Sequence, residues 1–150
     1  MPTGRSILAS MVIPSSTLPR VDDERLTGAH DAVLAATRSS PGRRGTVLFA
    51  HGFGQTRHAW TSTAHSLAAA GYQTLAYDAR GHGDSDWNPA TLPYHGEQFA
   101  DDLIVLAGEQ PQPPILVAAY YAESTGSPAE RDAVLADVGR VVGAWSRAGG

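Results

Sequence analysis

Apolar residues in this chain fall into short clusters whose spacing alternates between strand and helix. Residues 46–50 (TVLFA) and 73–77 (QTLAY) are apolar runs of strand type, each closed by a break: His51-Gly52-Phe53-Gly54 after the first, Asp78 after the second. Between them Trp60, Ala64, Leu67 and Ala68 recur at helical spacing, and Gly71 supplies the stop. After a Pro-containing loop around Pro89 and Pro93, the positions Phe99, Leu103, Leu106 and Ala107 mark a second helix. Pro111, Pro113 and Pro114 separate it from a third apolar run at about residues 115–121. A capping box with proline at the first helical position, Ser127-Pro128-Ala129-Glu130, opens a further helix whose stripe is Val134, Leu135, Val138, Val141, Val142 and Trp145. Upstream, residues 31–38 (DAVLAATR) read as a half-exposed strand, and 39–45 (SSPGRRG) as a loop.

Strands alternating with helices in short cycles predict an α/β fold, a small and mostly parallel sheet with flanking helices. A chain of 150 residues is one domain by length, here residues 21–150 behind a ragged extension of the first 20. The apolar run after Arg5, from Ile7 to Ile13, is too short to span a bilayer, and the expected location is the cytoplasm. A net charge of -4 supplies no basic excess for phosphates, which argues against a nucleic-acid partner. The absence of cysteine removes disulfides, thiolate metal sites and cysteine nucleophiles together. Gly52-x-Gly54 lacks the third glycine of a dinucleotide loop, and His58 and His65 stand too far apart on a helix to share a metal; no cofactor or metal is expected. The pairs Asp22-Asp23 and Asp101-Asp102 read as solvated charges.

Two stretches are specific enough to carry a resemblance: LFAHGFGQTRHAW, residues 48–60, and GYQTLAYDARGHGDSD, residues 71–86. Strand, His-Gly, helix closed by Gly-Tyr, strand and D-x-R-G-x-G-x-S, in that order, closely resemble the N-terminal half of α/β-hydrolase-fold enzymes over roughly residues 26–118. The resemblance implies hydrolysis of an ester or similar acyl bond of a small molecule. It also implies that the loop after His51 lends the Phe53 backbone N–H to an oxyanion hole, with Gly52 and Gly54 letting the backbone pass close to substrate. Asp78, Arg80, Gly81 and Gly83 then belong to a structural turn.

The chain departs from that family at the nucleophile. The third strand runs into Ala118-Ala119-Tyr120-Tyr121 rather than G-x-S-x-G. Ser124 is the available nucleophile, with Ala122 and Gly126 as small neighbours and Thr125 as the second N–H donor, yet Glu-Ser-Thr-Gly-Ser is also ordinary turn composition. The family's triad runs Ser, acid, His along the chain, whereas His30, His51, His58, His65, His82 and His95 all precede Ser124. Asp132 and Asp137 follow it on the last expected helix. His51 and His82 at the sheet rim are the non-standard candidates for a base. Two readings stand: a serine-type hydrolase, or a truncated, non-catalytic derivative that binds a ligand or partner. An open edge at the third run would also favour a homodimer.

Overall fold

The computed structural model describes residues 19–118. They form a five-stranded sheet: β1 (Val21–Thr27), β2 (Val33–Ser39), β3 (Thr46–Ala50), β4 (Gln73–Tyr77) and β5 (Ile115–Ala118), in spatial order β1-β2-β4-β3-β5. Two helices join the parallel strands, α1 (Thr61–Ala69) between β3 and β4 and α2 (Gly96–Gly108) between β4 and β5. β3 and β4 lie where the apolar runs place them, and β5 begins where expected. The helix expected to open at the Ser127–Glu130 capping box, with Ser124 and Thr125, lies outside the described residues.

The sheet is mixed. β4, β3 and β5 are parallel to one another, while β1 and β2 extend the sheet as an antiparallel hairpin with β2 against β4. Leu34, Ala35 and Ala36 of β2 are buried, so the strand read as half-exposed lies well inside the sheet. β1 (VDDERLT) has no apolar alternation, and its backbone pairs with β2 over seven residues. Its strand state comes from pairing with β2, the next strand, which its own apolar pattern does not reveal.

Side chains of the inner strands alternate between two cores, as a period of two requires. Val47 and Phe49 of β3 with Ala76 of β4 pack with Trp60 and Leu67 on the α1 face. Leu48 of β3 with Leu75 and Tyr77 of β4 pack with Leu106 of α2 on the other. Phe49 and Trp60 stack at 5.0 Å between ring centroids. α1 and α2 cover opposite faces, and the strands that follow β3 are added on either side of it, β4 on one and β5 on the other, so the direction of winding switches at β3. Open α/β sheets bind ligands outside the carboxyl end of such a strand, and β3 ends at Ala50, immediately before His51.

The turn after β4 is held by a glycine whose replacement tests the packing. Gly83 has φ 49°, and a Cβ there would run into the Asp78 carboxylate. Gly83→Ala is expected to lower stability by about 1–3 kcal/mol, read as a fall in melting temperature. An unchanged melting temperature would mean the carboxylate yields without loss.

Candidate functional site

Two loops meet at the carboxyl end of β3 and β4. The loop after β3, His51 to Gln55, closes in a turn in which the Gln55 N–H donates to the Gly52 carbonyl and the Gly52 N–H to Gln55 Oε1, both at 3.1 Å. Gly54, at φ 77°, takes the left-handed position that this turn requires. The loop after β4 runs from Asp78 to Asp86. Between these loops and α2 lies a cavity of about 370 Å³ lined by Ala50, His51, Phe53, Tyr77, His82 and Phe99, among others. Phe53 stands at its lip, 88% exposed, and its N–H meets no acceptor among the described residues. The lining holds no Ser, Thr, Cys, Asp or Glu among the described residues.

His51 fastens the two loops together. The Ala79 N–H donates to its Nε2 at 2.9 Å, so Nδ1 carries the proton and donates to the Gly52 carbonyl at 2.9 Å. Burial pushes its pKa down, helped by the neighbouring His82 and opposed by the Gly52 carbonyl and Asp78. Both nitrogens of a neutral ring are committed to backbone, so His51 has no lone pair left to accept a proton from a nucleophile. Tyr77 beneath it stays a neutral phenol; burial, with the Asp102 charge, pushes its pKa up to about 12.

Asp78 is fully buried and saturated with donors. Its carboxylate accepts the Arg57 N–H at 2.6 Å, the Asp84 N–H at 3.0 Å and the Arg57 guanidinium. It thus caps, from the end of β4, the short 3-10 turn Arg57–Trp60 that leads into α1. Burial alone would raise the Asp78 pKa; the two backbone N–H groups and Arg57 outweigh it and hold the carboxyl below its ordinary value. Ser85 adds a second tie, accepting the Ala35 N–H at 2.8 Å and donating to the Asp78 carbonyl at 2.5 Å. This supports a structural part for Asp78, with Gly83 packed against its carboxylate.

Arg80 points the other way, into a buried fork with Asp102 of α2. Nε and Nη2 each reach a carboxylate oxygen at 2.7 Å, and Nη2 also donates to the Ala29 carbonyl at 2.9 Å. The sequence reading of Asp101-Asp102 as solvated is corrected for Asp102, which is buried and paired. Arg57 was equally unmarked in the sequence. The available signal for Asp102 was its place one turn before the buried Leu106 on α2, where a solvated face was not expected. His58 and His65 are exposed, and no cluster of three or more metal-ligating side chains occurs among the described residues. Nor is any described helix long and apolar enough to cross a membrane.

The fold agrees with the comparisons to known proteins. A sequence model of the family described as serine aminopeptidase, S33, matches residues 41–144, more than half of the chain. The chain belongs to this α/β-hydrolase family. Epoxide hydrolase 1 of Siraitia grosvenorii is 35% identical over 68 residues, 45% of this chain and 22% of that protein. A non-heme chloroperoxidase of Kitasatospora aureofaciens is 40% identical over 57 residues, 38% of this chain and 20% of that protein. Among solved structures, the thioesterase domain from the curacin biosynthetic pathway superposes with a TM-score of 0.60 at 27% identity, over 66% of this chain and 35% of that one. The chain spans about a fifth of the length of the curated relatives it matches.

Proposed function

We propose that this chain carries the oxyanion-side half of a hydrolase acting on an ester or similar acyl bond. The observation that supports it is the Phe53 N–H: a backbone donor without an acceptor among the described residues, on the loop that lines an apolar cavity at the carboxyl end of β3. In an acyl transfer the nucleophile adds to the carbonyl carbon, and the oxygen that takes up the electron pair accepts hydrogen bonds from such donors. One donor contributes about 3 kcal/mol of transition-state stabilisation. On this reading Ser124 is the nucleophile and the Thr125 N–H the second donor. His51 is spent on backbone and the His82 lone pair faces the Gly54 N–H, so the base comes from an unusual position or a partner chain. The relatives bear the names of an epoxide hydrolase, a chloroperoxidase and a thioesterase, so the shared segment does not choose the bond.

A second reading, ligand binding without turnover, is favoured by one specific observation. The cavity lining has no nucleophile among the described residues, and the histidine nearest the loop is locked in its neutral form. Intact mass after incubation with a fluorophosphonate, wild type beside Ser124→Ala, separates the two. The hydrolase reading expects one adduct that is lost in the variant. A folded wild-type protein that takes no adduct would leave the binding reading.

A further inference from the structure

One side chain of the cavity has a defined geometry and no role in the reading above. His82 sits in the turn after β4, its own backbone fixed by the His82 N–H to Ala79 carbonyl bond at 2.9 Å and the Ser85 N–H to His82 carbonyl bond at 3.1 Å. Its Nδ1 lies 3.1 Å from the Arg80 carbonyl. A carbonyl can only accept, so Nδ1 carries the proton and Nε2 presents a lone pair. That lone pair faces the Gly54 N–H at 3.5 Å, the long end of a hydrogen bond. The ring is held edge-on by three others: His51 at 5.1 Å, Phe53 at 5.6 Å and Phe99 at 6.4 Å between centroids. Of the contacts that clamp the 52–55 turn, those of Gln55 arise inside it, whereas this one comes from the loop after another strand.

We propose that His82 is a positioning residue for the glycine turn: its Nε2 accepts the Gly54 N–H and so sets where the preceding Phe53 N–H points. That this placement matters to an oxyanion rests on the hydrolase reading; the contact itself does not. Protonation reverses it. An imidazolium carries N–H on both nitrogens, so Nε2–H meets Gly54 N–H donor to donor and the turn loses this tether, keeping the one through His51. The ionisable group that faces His82 is His51 at the end of β3. Asp78 lies beneath the same turn with its carboxylate taken by Arg57 and Asp84, and α2 offers the apolar Phe99.

The test reads backbone amides of the isotope-labelled full chain, without any substrate. At fixed pH, Gly54 amide exchange in His82→Ala is expected to be roughly fivefold faster than in the wild type, as for one lost hydrogen bond. His82→Gln, which keeps an acceptor oxygen, restores slow exchange. A long-range proton–nitrogen correlation on the wild type should show His82 protonated at Nδ1. Gly54 exchange unchanged in His82→Ala, or a neutral His82 protonated at Nε2, overturns the proposal. The tautomer is read on the wild type, so the proposal stays testable even where a variant fails to fold. Failure of the fluorophosphonate adduct would sink the hydrolase reading while the His82 tautomer and Gly54 exchange still decided the role of His82.

Discussion

Asp78→Ala is expected to destabilise the protein by about 3–5 kcal/mol in urea unfolding at neutral pH, the range for a buried ion pair that loses one partner. The carboxylate is fully buried and the Arg57 side chain 7% exposed, so removing one charge strands the other where water reaches it poorly. The loss is wider than the ion pair. The Arg57 and Asp84 N–H groups lose their acceptor at the same time, which loosens the entry to α1 and the turn after β4 together. Arg57 keeps an exposed second partner in Asp84 at 3.0 Å, which places the cost toward the lower end of the range. Linkage gives an independent check. The folded Asp78 pKa lies below its ordinary value, so the unfolded chain binds the proton first as pH falls. The contribution is therefore complete above about pH 4, the ordinary aspartate value, and is lost as pH falls from there through the folded value. Urea titrations of wild type and Asp78→Asn should converge over that acid interval; parallel curves would mean that Asp78 does not couple folding to protons.

The sheet interior was legible because β3 and β4 are buried on both faces and read as continuous apolar runs. α1 was legible through Leu67 and Ala68, with Gly71 at φ 96° marking its end. β1 was not, because its seven residues are mostly exposed and its side-chain ties to β2, Asp23 with Thr37 and Glu24 with Arg38, are polar pairs that leave no apolar pattern. The site divided in the same manner. His51, Gly54 and Asp78 stand in contiguous motifs, and the loops they predicted are the ones that meet. Arg57 and Asp102 were missed because their partners are 21 and 22 residues away, and a charged residue read one at a time looks solvated. His82 was legible as a rim histidine, but the tautomer that gives it a direction depends on the Arg80 carbonyl and so emerges only in three dimensions.

Breaking the Arg80–Asp102 fork is the other large expected effect, and comparing a charge-stranding replacement with an apolar double replacement tells which part of it matters. Asp102→Ala should cost about 3–5 kcal/mol, because it leaves the guanidinium buried without a counter-charge. Its two bonds to the carboxylate, set against the burial penalty, raise the Arg80 pKa, so the cation will not escape by losing its proton. Asp102 also accepts the Ala29 N–H at 2.8 Å, and a Cβ on the neighbouring Gly28 would stand 2.5 Å from the same oxygen. The carboxylate therefore holds the β1–β2 connection onto α2 as well as pairing with Arg80. An apolar double replacement, Arg80→Met with Asp102→Leu, removes the stranded charge but not the stranded N–H. Its cost should accordingly fall to about 1–3 kcal/mol, the range for one buried donor left without an acceptor. A double variant as unstable as Asp102→Ala would mean that the charge pair is incidental and the Ala29 tether is what α2 depends on. A double variant at wild-type stability would mean that water reaches the Ala29 N–H once the fork is gone.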